Sequence, residues 1–206
     1  MFSAALLLGN KGPSSLLDGL FAFYKLDGDG QDASGNGNHA IVTGGITFTS
    51  GYHGQAAVGV LNNAVNGPYL LGNVFSIAAW CKTSSQLSSW YGGVVAESSG
   101  EGLFLRGTGT FSFYSAGADH DTIGGWTANT WTHICVTYDG TNMKFYVNGI
   151  YNTIHTVTLS NSSFTVTNML NAGNVYPAEL VDDIGLWTRV LTAGEVAELA
   201  ASTYPF

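Results

Sequence analysis

Three aspartates, Asp27, Asp29 and Asp32, fall close together in a glycine-rich stretch, DGDGQDASGNGN (27–38). Calcium is a hard cation that takes carboxylate and backbone carbonyl oxygens. A loop of this composition can wrap both around Ca2+, with Asp182 or Asp183 of the VDDIGLW segment adding a ligand. The pattern is not an EF-hand, because the terminal bidentate Glu is missing. The competing reading is a solvated turn whose Asp and Asn side chains bond their own backbone. A second polar triplet, Asp119-His120-Asp121, reads as an exposed loop, and no Cys/His spacing suggests zinc.

Aromatic residues form the other candidate chemistry. A sugar-binding site combines flat apolar platforms with a few polar groups. One sheet face can present Trp80, Trp131, His133, Tyr146 and Asn148, while loops offer Trp90, Tyr91, Trp126 and Tyr176. Trp80, Trp90, Tyr91, Trp126 and Tyr146 are the candidates for glycan contact. Against this stands packing in the core, where a β-sandwich normally places such rings. Catalysis has little support. Glycoside hydrolysis needs two carboxylates across the bond, about 5–9.5 Å apart, whereas Glu97 and Glu101 flank a Ser-Ser-Gly turn. Nucleophile-elbow and phosphate-loop patterns are also absent. The chain reads as a non-enzyme.

Short strands must position these residues. The segment VFSIAAWCK (74–82) alternates with period two, placing Phe75, Ile77, Ala79 and Cys81 on one side and Ser76, Ala78, Trp80 and Lys82 on the other. WTHICVTY turns at Asp139-Gly140 into MKFYV, which turns at Asn148-Gly149 into IYN; both dipeptides favour hairpins. By the same parity, Asp182 is expected to share the inward side of its strand with Ile184 and Leu186. An isolated buried carboxylate is costly, so Asp182 requires backbone donors, a basic partner or a cation. Thr192-Ala-Gly-Glu195 is a capping box that starts one short helix near the end. About a dozen short strands without βαβ alternation predict an all-β fold, a two-sheet antiparallel sandwich or a barrel.

Composition narrows the function classes. Only 10% of the 206 residues are charged and 28 are glycine, which disfavours a helical bundle. The 45% hydrophobic content supports a folded core rather than disorder. A net charge of −8 and six scattered bases argue against nucleic-acid binding. No apolar run is long enough for a membrane span. Residues 1–19 read as an apolar docking arm carrying Phe2, Leu6, Leu7 and Leu8, ahead of one domain over 20–206. The arm lacks a basic start and a cleavage site, so it does not read as a signal peptide. If the strands of Cys81 and Cys135 lie in one sheet, their parity points the thiols to opposite sides, so two free thiols are expected.

The ordered blocks GLFAFYKLDG, DASGNGNHA, SGYHGQAAVGV, FSIAAWCK, WTHICVTYDG with KFYVNG, and VDDIGLWTRVLTAGEV resemble the laminin-G-like, concanavalin A-like lectin/glucanase jelly-roll family. The resemblance spans roughly residues 20–200. It implies a concanavalin A-like jelly roll, and calcium binding near the aspartate blocks, as some members show. Hydrolases on this fold usually carry an E-x-D-x-x-E strand, and none occurs here. The opening 28 residues look like the start of phage-encoded members. That likeness implies a virion-associated head decoration or tail appendage, made in the host cytoplasm and displayed on the virion surface. Capsid or tail proteins would hold the arm, a cell-surface polysaccharide would be the outward partner, and such appendages are often homo-oligomers. The alternative is a free-standing lectin-like module of a bacterial protein.

Overall fold

The computed structural model describes residues 15–60, 64–83, 92–97, 99–161, 163–170, 176–177 and 179–201. Its strands begin with β1 (Leu20–Tyr24), β2 (Ile41–Val42), β3 (Thr47–Ser50), β4 (Gln55–Val58), β5 (Val65–Gly72) and β6 (Phe75–Lys82). Next come β7 (Gly92–Ala96), β8 (Gly102–Leu105), β9 (Thr110–Ser115), β10 (Ala118–Gly125) and β11 (Thr132–Tyr138). They end with β12 (Asn142–Val147), β13 (Ile150–Thr156), β14 (Phe164–Met169), β15 (Tyr176–Pro177) and β16 (Leu180–Trp187), followed by helix α1 (Ala193–Ala201).

The strands form two sheets of eight. The first runs β13-β12-β11-β6-β16-β4-β3, with β1 beside the second half of β16. The second runs β10-β9-β8-β7-β14-β5-β2, with the two-residue β15 parallel to β7. The remaining described pairings are antiparallel, which is the expected two-sheet jelly roll. Residues of one parity from each sheet fill the space between them. Phe75, Ile77, Ala79 and Cys81 of β6 all face this core, and Phe75 lies 5.1 Å from Phe164 of the opposite sheet. Removing a ring of this kind would cost about 3–5 kcal/mol.

The other face of the first sheet is also partly apolar, because something covers it. Ala78, Cys135 and Trp187 pack under α1 and the 3₁₀ turn Ser15–Leu17. The helix starts where the capping box requires. Thr192 N–H donates to Glu195 Oε2 at 2.7 Å, and Glu195 N–H returns to Thr192 Oγ1 at 3.3 Å. Val196 and Leu199 supply its buried side. Both cysteines are free and buried, Cys81 in the inter-sheet core and Cys135 beneath the helix, on opposite faces as the parity demands.

Residues 15–19 are integral to this layer rather than part of a separable arm. Leu16 is buried and its carbonyl accepts Trp187 Nε1–H at 2.8 Å. The Asp18 carbonyl accepts Arg189 Nε–H at 2.6 Å, and Gly19 accepts Thr188 N–H at 2.9 Å. The boundary drawn at residue 19 therefore moves to before Ser15. The docking candidates Phe2, Leu6, Leu7 and Leu8 lie outside the described residues. The Asn148-Gly149 turn joins β12 to β13 with φ of 50° and 77°, the positive values that tight hairpins need. Among the described residues, no helix is long and apolar enough to cross a membrane.

Candidate functional site

The loop 27–38 uses its polar side chains on the backbone of β1. Asp32 Oδ1 accepts N–H bonds from Phe23 and Ser34, and Oδ2 accepts one from Asn38, each at 2.9 Å. Burial pushes the Asp32 pKa up, but these hydrogen bonds outweigh it and leave the carboxyl below its ordinary value. Asn36 and Asn38 donate to the Leu20 and Phe21 carbonyls, both at 2.7 Å. The D-x-SGN-x block thus covers the edge of β1 that would otherwise offer unpaired backbone groups. Asp29 Oδ1 accepts from Gln31 N–H in an exposed turn.

Asp182 and Asp183 reside on a β-bulge that sequence parity misses. Asp183 has φ of 50°; Asp182 pairs with Trp80, yet Gly185 pairs with Ala78, leaving one extra residue on β16. Val181 and Ile184 consequently both face the inter-sheet core, and Asp182 lies on the opposite face, beside Trp80. This corrects the expected inward position next to Ile184. Asp182 is nevertheless fully buried, because the β3–β4 hairpin turn, Gly51-Tyr52-His53-Gly54, folds over it.

Two glycines permit that approach. A Cβ on Gly51 would sit 2.5 Å from Asp182 Oδ2, and one on Gly54, which has φ of 49°, would collide with Asp27. The Tyr52 and His53 N–H groups donate to Asp182 Oδ2 at 2.8 and 3.0 Å. His53 Nδ1 lies 2.5 Å from Asp183 Oδ2, and Asp27 Oδ1 accepts Gln55 N–H at 2.6 Å. Backbone donors and a histidine partner are therefore what hold the aspartate pair. Burial and the neighbouring Asp183 push the Asp182 pKa up to about 8. Burial likewise pushes Asp183 up to about 6, against the opposing pull of His53. Among the described residues, no group of three or more His, Cys, Asp or Glu side chains is placed to hold a metal ion. The five carboxylates named from the sequence do not form a single ligand set.

The same turn builds an aromatic corner. Tyr52 stacks on Trp80 with centroids 3.5 Å apart and planes at 15°. Trp131 meets Tyr52 edge-on at 6.3 Å, and Lys82 Nζ lies 6.0 Å from the Trp131 ring centre. Tyr52 is 42% exposed while Trp80, beneath it, is 5% exposed. Below the rings, His133, Trp80 and Asp182 form a row across β11, β6 and β16, with the His133 ring 5.2 Å from that of Trp80. Within this row Trp80 Nε1, both His133 ring nitrogens and Asp182 Oδ1 are buried without a hydrogen-bond partner. Burial pushes the His133 pKa down to about 3, so the ring is neutral, with one donor and one acceptor nitrogen.

Residues 54–197 match the profile of the concanavalin A-like lectin/glucanases superfamily. The chain belongs to this family. Its structure is similar to domain 4 of the extracellular arabinanase AbnA of Geobacillus stearothermophilus, solved with arabinotriose, at 20% identity and a TM-score of 0.69. That likeness covers 88% of this chain and 98% of the other. The binding domain of Paraclostridial Mosquitocidal Protein 1 is similar at 19% identity and a TM-score of 0.67, over 90% of this chain and 52% of that one. A Trypanosoma rangeli sialidase is similar at 17% identity and a TM-score of 0.67, over 97% of this chain and 35% of that enzyme. The chain thus spans about half of the toxin domain and about a third of the sialidase. No curated protein matches it.

This family member scatters the remaining sequence candidates. Trp126 belongs to the second sheet's end, where its Nε1–H is shared between the Arg106 and Thr110 carbonyls at 3.1 Å. There it lines a cleft of about 520 Å³ together with Thr108, Gly109 and Gly125. Tyr146 is buried in the helix-covered cluster, edge-on to Tyr151. Trp90 and Tyr91 lie outside the described residues. Asp119 and Asp121 pair with Arg106 at 2.5 and 3.4 Å. Tyr52 and His53 were not singled out from the sequence; the only signal was the pair of glycines bracketing them.

Proposed function

We propose that this chain is a non-catalytic carbohydrate-recognition domain that contacts its glycan at the Tyr52–Trp80–Trp131 corner. The observation that carries the reading is a stacked aromatic surface beside buried polar groups that lack partners, the combination that sugar recognition uses. The arabinotriose complex of the similar arabinanase domain supports the ligand class. A non-catalytic role is supported by the two glutamates, which act as clamps. Glu97 accepts Thr165 N–H at 2.6 Å and Glu101 accepts Ser160 N–H at 3.0 Å, both carboxylates being buried. A glycan array followed by calorimetry tests the reading. Binding that Trp80→Ala and Trp131→Ala weaken at least tenfold is expected, and no binding to any glycan would sink it.

Display on a phage particle, through capsid or tail contacts of the arm, is the finer proposal. It is supported by the apolar sequence of residues 2–8 and by the likeness of the opening to phage-encoded members. Because residues 15–19 are part of the fold, the variant to test lacks residues 1–14. It should stay folded and fail to join the particle, as read by electron microscopy; normal incorporation would refute the arm's role. Calcium is a separate proposal that rests on the family resemblance: Asp27, Asp182 and Asp183 all contact the 51–54 turn, but they are not spaced as a ligand set, so an ion would have to draw them together. Recognition at the corner does not depend on the ion.

A further inference from the structure

The row beneath Tyr52 has no structural reason to be polar. Sandwich faces covered by their own chain usually carry apolar residues there, as Ala78 and Cys135 do one step along the same strands. Buried polar atoms without partners are few in native proteins and each calls for an explanation. Four of the five such side-chain atoms among the described residues belong to His133, Trp80 and Asp182. All three residues are at least nine-tenths buried. They are register neighbours on three adjacent strands, so the row is about 10 Å long. That length matches roughly one to two sugar rings.

Tyr52 covers the middle of this row, Trp80, in an arrangement that does not hold it strongly. Aromatic pairs prefer offset or edge-to-face packing, with centroids about 4.5–7 Å apart, over a face-to-face sandwich. The Tyr52–Trp80 pair is face-to-face at 3.5 Å. The backbone of the turn is anchored to Asp182, whereas the Tyr52 ring is 42% exposed. A rotation about its side-chain torsions would uncover the Trp80 face while leaving the hairpin in place. The uncovered Trp80 would offer its indole donor, with the neutral imidazole of His133, which both donates and accepts, next to it in the row. Hydroxyl groups, which do both, satisfy such a set.

Resting on the carbohydrate reading above, we propose that Tyr52 is a built-in plug, standing where a neutral sugar ring stacks on Trp80. Its displacement lets sugar hydroxyls pair with Trp80 Nε1 and, beside it, His133. The sugar is neutral because the row holds no cation to pair with a sugar carboxylate: His133 is buried and neutral, and its strand neighbours are Trp80 and the acidic Asp182. Lys82, at the rim beside Trp131, is the basic residue of the corner.

The plug reverses the ordinary expectation for an exposed aromatic residue in a sugar site. Removing it should tighten binding, because the apparent affinity is reduced by the fraction of molecules in which the site is open. The full chain is titrated by calorimetry with arabinotriose and a panel of neutral di- and trisaccharides, with sialyllactose and a trigalacturonate as anionic probes. Tyr52→Ala and Tyr52→Ser are expected to bind the neutral ligand about three- to tenfold more tightly than the native chain. Trp80→Ala abolishes binding, and the anionic probes do not bind. Acrylamide quenching of tryptophan fluorescence gives an independent readout, increasing in the Tyr52 variants and falling again with sugar. Weaker neutral-sugar binding by both Tyr52 variants would overturn the plug and make Tyr52 a platform, leaving the carbohydrate reading intact. Absence of binding by native chain and variants alike would remove that reading together with the plug.

Discussion

Asp182 provides the sharpest test of how the turn is held, through the contrast between Asp182→Ala and Asp182→Asn. The alanine variant leaves the N–H groups of Tyr52 and His53, now 2.8 and 3.0 Å from Oδ2, without an acceptor. An unsatisfied buried donor costs about 1–3 kcal/mol, so the loss should be about 2–5 kcal/mol. Asparagine keeps an oxygen at that position and is neutral, as the largely protonated carboxyl is at pH 7, so its cost at that pH should stay below about 1 kcal/mol. The pH dependence gives an independent check. The folded-state pKa is raised, to about 8 from an ordinary 3.8, so the stability linked to Asp182 is complete below about pH 4. It is lost as pH rises through about 8. Urea unfolding in EDTA at pH 5, 7 and 9 should therefore show Asp182→Asn gaining on the native chain by about 1–4 kcal/mol from pH 5 to pH 9. The reasoning fails if the asparagine variant loses as much as the alanine variant, or if the two pH profiles run parallel.

His133 predicts the opposite sign. Its pKa is depressed to about 3 by burial, so its contribution is present above about pH 6.5 and is lost as pH falls toward 3; the stability gap between the native chain and His133→Gln should narrow from pH 7 to pH 4 in urea melts. Glu97→Ala should cost about 2–4 kcal/mol, because Thr165 N–H loses its acceptor and the Asn161 and Ser99 side chains lose theirs; a change under 0.5 kcal/mol would show that Glu97 does not clamp this connection. Gly54→Ala should lower the melting temperature by several degrees, since it adds a Cβ against Asp27 at a positive φ; an unchanged melting temperature would mean the turn relocates freely. Millimolar calcium should raise the melting temperature of the native chain and not of Asp183→Asn; the same curve with calcium and with EDTA would remove the ion from the Asp27–Asp182–Asp183 turn.

Much of the architecture was legible because it depends on short-range rules. Period-two alternation in VFSIAAWCK put Phe75, Ile77, Ala79 and Cys81 on one side of the strand, and that side faces the inter-sheet core. The Asn148-Gly149 hairpin and the Thr192–Glu195 capping box are settled within four residues, so the local sequence specifies them. The opposite orientation of Cys81 and Cys135 followed from strand parity once their two strands share a sheet, as β6 and β11 do. Asp182 shows the limit of that logic. A single residue, Asp183, enters the left-handed region and shifts every later side chain of β16 by one face. Nothing in VDDIGLW distinguishes the bulge from a continuous strand.

The sequence by itself determined the two-layer β architecture, the hairpins, the cap and the family, because these rest on side-chain periodicity and on residue-specific backbone preferences. Only the tertiary structure decided where the chemistry lies. Tyr52 and Asp182 are 130 residues apart, and their contact depends on β4 pairing with β16 and on two glycines letting a hairpin turn close over a carboxylate. Asp32, by contrast, turned from a candidate ligand into a backbone staple because the edge of β1 supplied amides at hydrogen-bond distance. Residue type states what a side chain can bond. The folded register decides which partner reaches it first, and which polar atoms, as on Trp80 and His133, are left without one.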